Sequence, residues 1–304
     1  MNIRDGIADC VGNTPLVYLK RPGTGGAAVA AKLEMFNPYS IKDRPVLWML
    51  REAERRGQVK EGTTIIEASS GNTAIALASF CATRGRRLVI CMSEIQSIER
   101  RKILSALGAE LVLTPADQGT RGARERAKQL SEEIEDSYYI CQHSNPDNPK
   151  AHAETTAEEL WRDTDGRIDA FVAGLGTTGT AMGVSRVIKP RRPGFRVIGV
   201  EPEQAPMLSR GVWAPHRIMG TSPGWIPDVY DPALVDEIAT VSEEQAFAGC
   251  RRLAREHGIL AGITSGATSH VALLLAGRPE FEGKLIVCMV ADSGERYLSV
   301  AGLF

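Results

Sequence analysis

The chain has 304 residues, 43% of them hydrophobic and 24% charged, with 36 basic against 37 acidic side chains and a net charge of −1. That length suits two domains or one large α/β unit with ample core, and the balanced charge, without a basic stripe or acidic tail, argues against nucleic acid or an anionic membrane as partner. No stretch approaches a membrane span, and Met1-Asn2-Ile3-Arg4-Asp5-Gly6 lacks an apolar signal core, so a cytoplasmic location is expected.

In chain order, residues 29–34 (Val-Ala-Ala-Lys-Leu-Glu) read as a short strand before Asn37-Pro38-Tyr39-Ser40-Ile41-Lys42-Asp43-Arg44-Pro45, where extended chain gives way to a helix. Asp43 suits the first turn, Pro45 is compatible with it, and Val46, Leu47, Met49, Leu50 and Ala53 carry the helical spacing. Lys42 therefore stands at a helix N-terminus, where the macrodipole disfavours an ammonium and favours the neutral, nucleophilic amine. A solvated lysine paired with Asp43 is the plainer alternative. Strands are expected at 63–67, 88–92, 110–113 and 138–141, alternating with helices over 74–83, 98–107 and 123–134. The scheme repeats with strands at 168–173, 195–200 and 285–290. Alternation of this kind predicts an α/β fold with two open, mostly parallel twisted sheets covered by helices. Asn145-Pro146-Asp147-Asn148-Pro149 is the best turn cluster between the halves, and residues 202–235, rich in Pro and Gly, read as a long functional loop. The six cysteines are scattered without a CxxC pair and the five histidines lack ligand spacing, so neither a disulfide framework nor a metal is expected.

Three strand-to-helix loops carry polar groups. Gly174-Leu175-Gly176-Thr177-Thr178-Gly179-Thr180 matches G-x-G-x-x-G, with Glu201 ending the next strand, which suggests a dinucleotide. Its interleaved hydroxyls suit a phosphate monoester at a helix N-terminus, and a purely structural turn also remains open. Ser69-Ser70-Gly71-Asn72-Thr73 has the hydroxyls, amide and helix start of a carboxylate pocket, or of a well-capped helix without a ligand. Gly262-Ile263-Thr264-Ser265-Gly266-Ala267 opens a third helix. A lysine amine, a phosphate cradle, a carboxylate pocket and a further hydroxyl loop together are what pyridoxal 5'-phosphate requires.

These residues resemble the cysteine synthase family of fold type II pyridoxal-phosphate enzymes, tryptophan synthase β-like and nearest the B-type branch. The resemblance runs nearly end to end, through Gly12-Asn13-Thr14-Pro15-Leu16, Ser40-Ile41-Lys42-Asp43-Arg44, Ser70-Gly71-Asn72-Thr73, Ser97-Ile98-Glu99-Arg100-Arg101, Gly176-Thr177-Thr178-Gly179-Thr180 and Gly294-Glu295-Arg296-Tyr297-Leu298-Ser299. It implies that Lys42 holds the cofactor, Asn72 bonds its ring hydroxyl, Gly176, Thr177, Thr178, Gly179 and Thr180 bind its phosphate, and Thr264 faces the pyridine nitrogen. Ser69, Ser70, Gly71, Asn72 and Thr73 with Gln142 would receive the substrate carboxylate. It further implies a smaller, mobile domain over 41–145, a larger one from 1–40 plus 146–304, a homodimer, and a serine acetyltransferase as possible partner. The implied activity is β-replacement on O-acetyl-L-serine by sulfide or another nucleophile. O-phosphoserine, read by Arg217, and S-sulfocysteine or cystathionine synthesis are alternatives within the chemistry. A nicotinamide oxidoreductase using Gly174, Gly176, Gly179 and Glu201, and a scaffold role, are alternatives outside it. Departures from the family pattern fall at Tyr39, Ala74, Ser69, Thr264, Ser222-Pro223 and Trp225.

Overall fold

The computed structural model describes residues 3–304. In chain order its main elements are β1 (Leu16–Lys20), β2 (Ala28–Leu33), α1 (Asp43–Arg55), β3 (Thr64–Ala68), α2 (Asn72–Ala82), β4 (Leu88–Ser93), α3 (Ile98–Ala106), β5 (Glu110–Thr114), α4 (Gly119–Glu133) and β6 (Ser137–Tyr139). Then come α5 (Asp147–Ala151), a π-helical turn (His152–Thr156), α6 (Ala157–Asp163), β7 (Ala170–Gly174), α7 (Gly179–Arg191), β8 (Arg196–Pro202), α8 (Met207–Arg210), β9 (Glu237–Val241), α9 (Glu243–His257), α10 (Ile263–Leu275) and β10 (Leu285–Val290). The expected α/β class with two mostly parallel sheets is borne out.

One compact unit comprises Ile41–Asn148 with the segment up to Val11. That early segment therefore goes with the smaller unit and not with the larger, where the sequence had put it; Asp9 lies 4.0 Å from Arg51 of α1. The sheet of this unit runs β5-β4-β3-β6, every pair parallel. β3 and β4 are buried along their whole length, as continuous apolar runs require when helices cover both faces. Ile66, Ala68, Val89 and Cys91 pack with Ala123, Ala127 and Leu130 of α4 to form one side of the core. β6 ends at Tyr139, short of the expected Cys141, whose left-handed φ of 51° turns the chain out of the sheet.

The other unit comprises Gly12–Ser40 and Pro149–Phe304. Its six strands run β1-β2-β10-β7-β8-β9, parallel except for the β1–β2 pair. Two of its strands were not expected: β1, whose side chains are mostly part-exposed, and β9, only half-buried at the far edge. α9 was also unexpected, though Ser242 and Gln245 close a capping box at its start. The Gly12–Leu16 motif is wired to β2 and α6. Gly12 N donates to Asn37 Oδ1 (2.8 Å), Asn13 N to Glu159 Oε1 (2.8 Å), and Thr14 Oγ1 to Glu34 Oε1 (2.6 Å). Lys32, fully buried within β2, pairs with Glu159 (2.8 Å) and Asp163 (3.1 Å) and donates to the Thr14 carbonyl (2.7 Å). A buried ammonium is tolerated only with such compensation, so this network fixes the motif's register.

Candidate active site

In the smaller unit, α1 begins at Asp43 and Lys42 is its N-cap residue, with helical backbone angles and a half-buried side chain. The Lys42 carbonyl accepts the Val46 N–H (3.1 Å), so the lysine is locked to the first turn while Val46, Leu47, Met49, Leu50 and Ala53 anchor the helix in the core. The Ser69–Thr73 loop leaves the C-terminal end of β3 and enters α2, the crevice position where parallel sheets hold ligands. Ser69 Oγ accepts the Gly71 N–H (3.3 Å), while Thr73 Oγ1 donates to Gln142 Oε1 (2.7 Å). Thr73 and Gln142 are thus brought together from positions 69 residues apart. Asn148 Nδ2 braces the Gln142 carbonyl (2.8 Å).

Beneath this loop lies a residue that sequence reasoning missed. Glu67 on β3 is buried, its carboxylate accepting the Ala68 N–H (2.9 Å) and the Gln142 N–H (3.4 Å). Burial outweighs those bonds and pushes the carboxyl up to about 8, so at neutral pH it holds a proton. A lone Glu in the strand run Thr-Ile-Ile-Glu-Ala gives no sign of this, because alternation within a two-faced buried strand carries no inside or outside.

In the larger unit, the Leu175–Thr178 segment leaves β7 and enters α7. Thr178, the N-cap residue, sits in the left-handed region (φ 65°), and its hydroxyl, in a residue only 2% exposed, has no partner among the described residues. A Cβ added at Gly176 would fall 2.1 Å from the Gly220 carbonyl oxygen, and one at Gly174 would fall 2.6 Å from Thr264 Cγ2. Glycine is therefore obligatory in this hollow. The Gly176–Thr180 cradle, lined by hydroxyls and sited at a helix start whose first N–H groups lack intrahelical partners, fits a phosphate. The loop after α8 packs against it: Ser222 N donates to the Leu175 carbonyl (2.9 Å), and the Ser222 carbonyl accepts from Trp213 Nε1 (3.1 Å) and His216 Nε2 (3.3 Å). Thr264, in the first turn of α10, donates its hydroxyl proton to the Met219 carbonyl. His152, a second residue unnoticed in the sequence, reaches Thr180 Oγ1 through Nε2 (3.1 Å).

Two expected roles meet other partners. Arg217 is engaged on the rim: Nε donates to Glu243 Oε2 (2.7 Å), Nη1 donates to the Ala301 carbonyl (3.1 Å), and the guanidinium stacks on Phe247 at 4.8 Å. These contacts occupy Nε and Nη1 of the fork expected to read a phosphorylated donor. Glu201, the expected ribose ligand, is buried and accepts from Leu208 N (2.7 Å), Ser209 N (3.1 Å) and Ser209 Oγ (2.9 Å), which caps α8 and removes the acid on which the dinucleotide reading depends. No thiol offers an easy nucleophile in the core, since burial pushes Cys81, Cys250 and Cys288 to about 12 and Cys91 to about 11.

Residues 7–292 match the family described as pyridoxal-phosphate dependent enzyme. The O-ureido-L-serine synthase of Streptomyces lavendulae is 44% identical over 301 residues, covering 98% of this chain and 92% of its own. Cysteine synthase A of Escherichia coli K12 is also 44% identical over 301 residues, covering 96% and 93%. The crystal structure of a cysteine synthase from Entamoeba histolytica superposes with a TM-score of 0.94 at 40% identity, covering 98% of this chain and 90% of that one.

Proposed function

The chain belongs to the pyridoxal-phosphate dependent enzymes, and from that premise we propose that it replaces the β-substituent of O-acetyl-L-serine with sulfide to give L-cysteine. The observation that carries the reading is the glycine-walled cradle at 174–180, with its buried Thr178 hydroxyl that has no partner among the described residues. The cofactor, when bound, supplies the electron withdrawal that acidifies the substrate's Cα–H and lets the β-substituent depart.

The chain's own groups then divide the work. Lys42 would hold the cofactor, and its ε-amine, once free, would act as the base that takes the Cα proton and later returns it. Residues 69–73 with Gln142 would receive the substrate carboxylate, and the Asn72 amide would bond the cofactor's ring hydroxyl. Gly176, Thr177, Thr178, Gly179 and Thr180 grip the phosphate. Thr264, turning its hydroxyl proton from the Met219 carbonyl to the pyridine nitrogen, would offer that nitrogen a neutral donor where a carboxylate would keep it protonated, which would favour prompt loss of the β-substituent over transamination. Departure of acetate before sulfide adds makes the kinetics ping-pong.

The test is turnover of O-acetyl-L-serine with sulfide. Lys42→Ala should lower kcat by at least about a thousandfold; full turnover in that variant would overturn the assignment. A panel of sulfide, thiosulfate, homocysteine and hydroxyurea ranks the nucleophiles, the last because a relative is named for an O-ureido product. The resemblance further supports a cytoplasmic homodimer able to dock a serine acetyltransferase tail, which light scattering and a tail-peptide titration check.

A further inference from the structure

The 69–73 loop and Gln142 are both built on one buried acid. Glu67 on β3 is 2% exposed, and its Oε1 accepts the N–H of Ala68 (2.9 Å), the residue through which the strand enters the loop. Its Oε2 accepts the Gln142 N–H (3.4 Å), and the Cys141 N–H bonds the same carboxyl. Cys141 has a left-handed φ of 51°, which residues other than glycine rarely adopt. A residue in that conformation turns its own N–H and the next one toward one side, forming a concavity that collects a single acceptor. Glu67 is that acceptor, and its bonds offset the strain of the turn.

The turn carries Gln142, which is 7% exposed. Its carbonyl accepts from Asn148 Nδ2 (2.8 Å), and its side-chain oxygen accepts from Thr73 Oγ1 (2.7 Å). With Oε1 engaged by Thr73, the NH2 end of the amide is the donor that a carboxylate needs. Removal of the acceptor at position 67 takes the partner from two adjacent N–H groups, so the left-handed turn relaxes and the amide moves with it.

We propose that Glu67 is a positioning residue for substrate binding: by gathering the Ala68, Cys141 and Gln142 N–H groups, it holds the Gln142 amide in register with the 69–73 loop to meet a substrate carboxylate. This rests on the reading of residues 69–73 with Gln142 as the carboxylate receptor. It makes the receptor's support complete before the ligand arrives.

The experiment titrates the holoprotein with L-alanine and with L-alaninamide, which share an amine and differ at the carboxylate, and follows the visible absorbance. In Glu67→Leu the preference for L-alanine should fall about tenfold, with the affinity for the amide within about twofold of wild type. KM for O-acetyl-L-serine should rise about tenfold while kcat stays within about twofold. Glu67→Gln, uncharged like the buried acid at neutral pH and still carrying one oxygen for the Cys141–Gln142 turn, should recover most of the loss. Equal weakening of both ligands, an unchanged preference, or a fall in kcat without a rise in KM would overturn the proposal. Should the leucine variant not fold, Cys141→Val decides. A β-branched side chain resists the left-handed region, so the same loss of carboxylate preference is expected with Glu67 intact, and an unchanged preference contradicts the proposal. Gln142→Ala tests the premise separately: if that variant keeps the full preference for L-alanine, the carboxylate reading of residues 69–73 with Gln142 is overturned instead.

Discussion

Two loops leave parallel strands in the same way and are built on opposite principles. The one at 174–180 is walled in: glycine is forced at Gly174 and Gly176 by atoms already in place, Thr178 is held in the left-handed region, and His152 stands behind Thr180. The one at 69–73 is open: Ser69, Ser70, Gly71 and Asn72 are half-exposed, and a Cβ at Gly71 would meet nothing within 4 Å. The first suits a group that stays; the second suits a ligand that comes and goes with each turnover.

The sharpest way to break this contrast is Gly176→Ala. Its Cβ would collide with the Gly220 carbonyl, so cofactor affinity should fall roughly a hundredfold in a titration of the apoprotein; retention of full affinity would mean that the cradle yields. Next in size is Glu67→Gln beneath the open loop. With the folded carboxyl pushed up to about 8, the folded state keeps a proton that the unfolded state releases near 4.5, so wild-type stability is fully present below about pH 4.5 and declines as pH rises toward 8. Denaturant titrations across that window should show wild type losing up to several kcal/mol relative to the glutamine variant; parallel profiles would refute the buried neutral acid. Thr73→Val removes the bond to Gln142 and should raise KM for O-acetyl-L-serine about tenfold, with cofactor affinity unchanged. Smallest is Gly71→Ala, which should leave cofactor affinity within about twofold, because its φ of −116° is negative and a Cβ there meets nothing within 4 Å.

What was readable beforehand follows the same division. The strand–loop–helix rhythm, Lys42 at the start of α1 and the glycine–threonine cradle all depend on local order, and local order is what a sequence displays. β1 and β9 were missed because edge strands with part-exposed side chains lack the apolar runs of β4 or β10. The helix of Glu243–His257 was announced by a Ser-x-x-Gln capping box that went unused. Arg217, Glu201, Glu67 and His152 share a different reason: each takes its role from a partner that only folding supplies, across 26 positions for Arg217 and Glu243 and 28 for His152 and Thr180. Glu201 illustrates the hazard, since its spacing after G-x-G-x-x-G suits a ribose ligand while its carboxylate caps the very next helix.

The central claim is that the amine at position 42 carries the cofactor. Borohydride reduction of the purified protein, followed by peptide mapping, tests it most directly: the visible absorbance should bleach and a phosphopyridoxyl adduct should appear on the peptide containing Lys42. An adduct on another lysine, or none on a protein that still makes cysteine from O-acetyl-L-serine, would contradict the account.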